Sequence, residues 1–139
     1  MNLWITRRAH YAMLILYHLA CLPAEQRTNA ESIADALSVP SSTTRVVIRH
    51  LSLAGLVQTT RGSQGGVSLA RDPADISVLE VLQIMDGPIV LNECISGHDG
   101  REPGRECPMC QTWHEAQEAL ENQLRYATFE QFCSNLAVD

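Results

Sequence analysis

The chain has 139 residues, 45% of them hydrophobic, enough for one modest core plus an appended element that needs a partner to cover it. No run of about 18 apolar residues appears, and the first stretch, interrupted by Tyr11, Tyr17 and His18, reads as a core helix rather than a spanning segment or an export signal. A formal charge of −6 would argue against nucleic acid if it were spread evenly, but residues 1–71 carry seven arginines against three carboxylates, and residues 72–139 carry three arginines against thirteen.

From Thr6 to Ala20 the residues Ala9, Ala12, Met13, Leu16, Leu19 and Ala20 recur at helical spacing, and Pro23 closes the helix. Its outer side carries Arg7 and His10. Thr28-x-x-Glu31 is a capping-box pattern that predicts a short helix through Ile33, Ala34 and Leu37, closed by Pro40. A third helix is predicted from the hydroxyl cluster Ser41 to Thr44, through Val46, Val47, Leu51 and Leu53, to Gly55. Two short helices around Ser38-Val39-Pro40 are the signature of a helix-turn-helix.

After Gly55 the pattern becomes extended. Leu56 to Thr60 and Val67 to Ala70 read as two strands around the Gly-rich tip Arg61 to Gly66, a wing. Ser77-x-x-Glu80 caps a helix carrying Val78, Val81, Leu82 and Met85, stopped by Gly87-Pro88. Further on, Trp113, Ala116, Leu120, Leu124 and Ala127 form a narrow apolar stripe on a charged helix, a stripe of the kind that seals against another chain, so a dimer is expected. Thr128-x-x-Gln131 starts a last short helix that packs through Phe129, Phe132, Cys133 and Leu136. The expected fold is mainly α with a small β-hairpin wing. It divides into a winged helix-turn-helix DNA-binding domain over 1–87, a cysteine-bearing loop over 88–110, and a long dimerisation helix with a C-terminal helix over 111–139.

Cys94, Cys107 and Cys110 make the pattern C-x12-C-x2-C in a segment broken by three glycines and two prolines, which reads as a loop that presents ligands. Three soft thiolates suit an iron–sulfur cluster or zinc, and a fourth ligand then comes from elsewhere. Ordinary loop thiols and a structural zinc site are the plainer readings. The other two cysteines, Cys21 and Cys133, lie in apolar contexts and read as buried thiols. An odd count without an export signal argues against a disulfide framework and for a reducing, cytoplasmic setting.

In a helix-turn-helix the second helix enters the major groove with its N-terminal side chains toward the base edges. Here these are Ser41, Ser42, Thr43, Thr44 and Arg45, with Arg49 one turn on. The hydroxyls serve equally well as helix caps, whereas Arg45 suits a bidentate contact to guanine. Arg61, with Gly65 and Gly66 letting the backbone approach closely, suits an adjacent minor groove; a solvated arginine at a turn is the simpler alternative. No nucleophile–base–acid set is visible, and Gly62-x-x-Gly65-Gly66 between strands is a turn rather than a phosphate loop, so neither an enzyme nor a small-molecule substrate is expected.

Several segments carry a family likeness: Tyr11-Ala12 in the first helix, Ser32-Ile33-Ala34, Leu51-x-x-Ala54-Gly55-Leu56-Val57, Arg61-Gly62-x-x-Gly65-Gly66-Val67, and Asp75 to Val81 leading to Met85-Asp86-Gly87. With the three cysteines and the long final helix, they make nearly the whole chain similar to the Rrf-type winged helix-turn-helix transcription regulators, which include iron–sulfur and nitric-oxide sensors. The resemblance implies a homodimer, acting as a repressor on a palindromic double-stranded DNA operator, with a 2Fe-2S or 4Fe-4S cluster gating DNA binding. It also implies a fourth ligand, either just after the third cysteine or immediately before the tyrosine of the first helix in the other subunit. Those positions point to His10 first and His114 second, the residue three after Cys110 being Trp113. The chain departs from the family in its closer second and third cysteines, Cys107 and Cys110, and its longer first interval. A zinc- or thiol-based regulator without a cluster, and a cluster-carrying electron-transfer or interaction protein, are the alternatives.

Overall fold

The computed structural model describes residues 4–23, 26–63, 65–96 and 107–136. Helix α1 (Arg7–Cys21) starts where expected, because the Thr6 side chain accepts from the Ala9 N–H and caps it. Thr6 also donates its hydroxyl and its backbone N–H to the Asp86 carboxylate, so the start of α1 is clasped to the end of α4 (Val78–Asp86). Ala9, Ala12, Ile15, Leu16 and Leu19 bury one face of α1 at the centre of the core.

Helix α2 (Ala30–Leu37) is capped by Asn29, not by Thr28 as the sequence pattern suggested: Asn29 Oδ1 accepts from the Ser32 N–H at 2.9 Å. Thr28 is used elsewhere. Its carbonyl accepts from the Val67 N–H at 2.9 Å, pairing the lead-in to α2 with the wing as a third, one-residue strand. Helix α2 ends at Leu37 through Ser38 in the left-handed conformation, and Pro40 opens α3 (Ser41–Leu53) instead of closing α2. Val47, Ile48 and Leu51 of α3 are buried against α1 and α2. The other two apolar residues of the predicted helix, Val46 and Leu53, point outward, 49% and 78% exposed. A helix this short buries a single stripe, and these two positions fall on the other side of it.

The wing is an antiparallel pair, β1 (Val57–Thr60) and β2 (Gly66–Leu69), with Val57 opposite Leu69 and Thr59 opposite Val67. A 3-10 turn (Pro73–Asp75) leads to α4, whose Ser77 cap accepts from the Glu80 N–H as predicted. The Glu80 side chain does not return to the cap. It binds Arg71 at 2.6 Å, and this hydrogen bond raises the arginine's pKa above its ordinary value while fastening the end of the wing to α4.

Cys94 and Cys110 of the cysteine segment lie in helices rather than in a plain loop. A short helix α5 (Glu93–Ser96) contains Cys94, and α6 (Cys110–Tyr126) begins on Cys110 itself; residues 97–106 lie outside the described residues. No residue of α6 is buried, although Leu124 and Ala127 at its end reach the core. The chain then returns. Ser77 and Thr128 form a one-residue bridge, and α7 (Phe129–Leu136) lies along α1 with Phe129 1% exposed in the core. Phe132, expected to pack, is partly exposed and meets Phe129 edge-on, while the side chain of Leu136 lies outside the described residues.

Cys21 and Cys133 are not buried thiols. They are disulfide-bonded, with Cys21 exposed and Cys133 half-buried at the seam of α1 and α7. Their separation of 112 residues hid the pairing from any local pattern. Among the described residues no helix is long and apolar enough to cross a membrane.

Candidate functional site

Helix α3 presents Ser41, Ser42, Arg45, Val46 and Arg49 on its outer face. Thr43 is half-buried. Thr44 belongs to the core rather than to a groove: it is fully buried, and its hydroxyl donates to the Pro40 carbonyl at 3.1 Å. That is a back-bond to the carbonyl four residues earlier rather than a cap, and α3 has no side-chain cap. Arg45 forms an ion pair with Glu31 of α2, so the most favourable base-reading side chain is held across the outer surface of the helix-turn-helix by a carboxylate. Both partners are more than half exposed, and such a pair contributes little to stability. Arg49 lines a shallow cleft between α3 and the wing with Arg45, Ser52 and Thr59.

At the wing, Arg61 is exposed, but the two glycines have a structural task. A Cβ on Gly65 would lie 2.1 Å from the Thr60 carbonyl oxygen, and one on Gly66 would lie 2.4 Å from that of Thr28. Both positions are closed by backbone, so the glycines allow the hairpin to tighten and to join the α2 lead-in. Gly66→Ala is expected to cost about 1–3 kcal/mol as the Thr28–Val67 bridge is pushed apart, measured as a lower urea midpoint. An unchanged midpoint would mean that the wing is not anchored at Thr28.

The cysteine site joins two contacting helices, α5 and α6. The Asn92 side chain accepts from the Cys94 N–H at 3.1 Å and sets the start of α5. Cys107 and Cys110 flank one turn, closed by the Cys110 N–H on the Cys107 carbonyl at 2.9 Å. Gln117 of α6 accepts from the Leu91 N–H at 3.1 Å and holds the lead-in to α5 against α6, a positioning role no sequence pattern signalled. All three cysteines are half-buried, and none is in a disulfide. The donor chemistry suits a thiolate-bound metal: Cys107 and Cys110 lie at the start of α6, which has no acidic residue in its first turn and no side-chain cap, while Cys94 sits in α5. Among the described residues, however, no three His, Cys, Asp or Glu side chains gather into a group that could hold a metal ion. Within one chain, then, the three cysteines are not drawn together, and neither is His10 with any two of them.

His10 is exposed on α1, at the rim of a groove shared with Met13, Tyr17, Val78, Phe129 and Phe132. His114 is exposed on α6, one turn beyond Cys110. Either is accessible to a second chain.

The sequence matches the Rrf2 family, described as iron-dependent transcriptional regulators, over residues 5–135. It is 33% identical over 124 residues to the HTH-type transcriptional regulator NsrR of Geobacillus kaustophilus, a match that covers 87% of this chain and 81% of that protein. The fold is similar to CymR (YrzC), the global cysteine regulator of B. subtilis, with a TM-score of 0.80, 25% identity, and 96% of this chain and 98% of that one covered. It is also similar to T. potens IscR, with a TM-score of 0.76, 24% identity, and coverage of 98% and 90%. The helix-turn-helix, its wing and this nearly full-length match make the chain a member of the Rrf2 family of transcriptional regulators.

Proposed function

We propose that the protein is a cytoplasmic homodimer that represses transcription from a palindromic double-stranded DNA operator, with its grip on DNA gated by an iron–sulfur cluster that reports iron, redox state or nitric oxide. The observation that carries the DNA part is the outer face of α3. Exposed Ser41, Ser42, Arg45 and Arg49 stand beside Arg61 of the wing, in the basic half of an acidic chain. A guanine edge or a phosphate would replace Glu31 as the partner of Arg45, and exposed Val46 suits the methyl group of thymine. Arg61 would enter the neighbouring minor groove. The half-exposed stripe of α6 would seal the dimer and set the two copies of α3 about one helical turn, ~34 Å, apart.

Cys94, Cys107 and Cys110 would hold the cluster, with His10 of the partner subunit or His114 completing the set. Bound there, a cluster supplies a centre that electrons, oxidants or nitric oxide can alter. The chain has a route from that centre to the DNA face. Asp86 heads the segment leading to Cys94 and clasps Thr6, the cap of the helix that bears His10. A second reading, zinc or the thiols themselves as the sensor, takes its support from the likeness to a cysteine regulator. Protein purified without oxygen decides between them. Iron and acid-labile sulfide in equal amounts, with a visible chromophore, are expected, together with DNA affinity that falls steeply with salt. Zinc or no metal would overturn the cluster.

A further inference from the structure

We propose that Cys21 and Cys133 form a second redox site, separate from the three cysteines near α6, which a hydroperoxide oxidises to a disulfide that clamps α7 onto α1. The fold, not the local sequence, creates this site. Each cysteine is placed by a packed element, Cys21 by Leu16 and Leu19 of α1 and Cys133 by Phe129 of α7, so the two Cα atoms stand 5.4 Å apart. That lies inside the usual range for a disulfide, roughly 4.4–6.8 Å, so the fold holds the two cysteines at bonding reach. A regulator that works on DNA sits where thiols are kept reduced, and a disulfide there is usually a response rather than a fixture. Cys21 is exposed at the end of its helix, open to oxidant and to reducing thiols alike.

The chemistry needs one hydroperoxide per chain. The Cys21 thiolate attacks the O–O bond; an S–O bond forms, the leaving oxygen takes a proton and departs as water or an alcohol, and Cys21 becomes a sulfenic acid. Cys133, whose sulfur lies 4.0 Å from the Tyr17 carbonyl oxygen, then attacks that sulfur. The S–S bond forms and the hydroxyl leaves with the Cys133 proton as water. The two thiols lose two electrons, and the peroxide gains them.

The bond closes a covalent loop across 112 residues, and such closure raises the stability of the form that has it. Without it, α7 is held by Phe129 and by the short backbone pairing at Ser77 and Thr128. The groove between α1 and α7, with His10 and Tyr17 on one wall and Phe132 on the other, lies on the same seam. Oxidation therefore fixes the wall of the groove that α7 supplies.

The test uses the full chain, reduced without oxygen, treated with one equivalent of hydrogen peroxide, alkylated with a maleimide and mapped by peptide mass. A linked Cys21–Cys133 peptide pair is expected in place of the two alkylated peptides, and excess reduced glutathione should reverse it. The oxidised form should melt higher by on the order of 10 °C. In Cys133→Ser the reaction should stop at a Cys21 sulfenic acid that dimedone traps, with no peroxide-dependent melting shift. In Cys21→Ser, Cys133 should remain alkylatable. Cys21 and Cys133 both labelled after peroxide, or a bond that glutathione cannot open, would overturn the proposal. The mapping reads these two residues directly, so its result does not depend on what the other three cysteines hold.

Discussion

Cys107→Ala is expected to strip the protein of iron and sulfide while leaving a folded dimer. Cys107 is half-buried in the turn that opens α6, and it takes no part in the apolar core, so truncation should change stability by no more than about 1 kcal/mol. Its effect falls on the donor set. A cluster held by three cysteines and one histidine loses a thiolate for which no spare is at hand, since Cys21 and Cys133 face each other on the separate seam of α1 and α7. Iron analysis, the visible spectrum and size-exclusion chromatography read the outcome together. Cys21→Ala serves as the control that should keep its iron. A Cys107→Ala protein that is an unfolded monomer would instead assign the site a structural role, and one that keeps its full iron would remove Cys107 from the ligands.

Phe129→Ala should destabilise the protein by about 3–5 kcal/mol, the range for emptying a large aromatic site in a core. Phe129 is the largest fully buried side chain among the described residues, it meets Phe132 edge-on at 5.6 Å, and its backbone N–H donates to the Ile76 carbonyl. Against a total stability of about 5–15 kcal/mol this is a severe loss. Urea unfolding monitored by circular dichroism measures it. A loss under about 1 kcal/mol would show that α7 is not part of the core in solution.

These two residues also mark what could be read from the sequence. The cap of α4 is legible in a pattern three positions long: Ser77 accepts from the Glu80 N–H as Ser77-x-x-Glu80 promises. Thr28 had the same pattern and failed, because its backbone is committed to Val67, a tertiary demand that a local motif cannot register. Apolar spacing finds α3 but not which of its residues bury: Val46 and Leu53 face outward, while Thr44, grouped with the hydroxyls offered to DNA, sits in the core. The three cysteines were conspicuous as a spaced set, yet their helical setting was not: Pro108-Met109 make a turn that starts α6 early, on Cys110. The helix-turn-helix pattern puts α2 beside α3 without telling that Arg45 meets Glu31, and no local signal marks the Gln117 contact to Leu91. The Cys21–Cys133 bond is the extreme case, since nothing short of the whole fold brings its partners together.

The return of α7 to α1 has a consequence for biosynthesis. The apolar face of α1 is made early, but Phe129, which completes its cover, is translated more than a hundred residues later. At roughly 5–20 residues per second, α1 waits about 5–20 s on or beyond the ribosome with that face incompletely covered. Until then the helix-turn-helix is built on an unfinished support, so a nascent or prematurely terminated chain offers DNA a poorly braced reading head and offers chaperones an exposed helix. Competence to bind DNA is thus expected to arrive late in translation, together with the segment that seals the core.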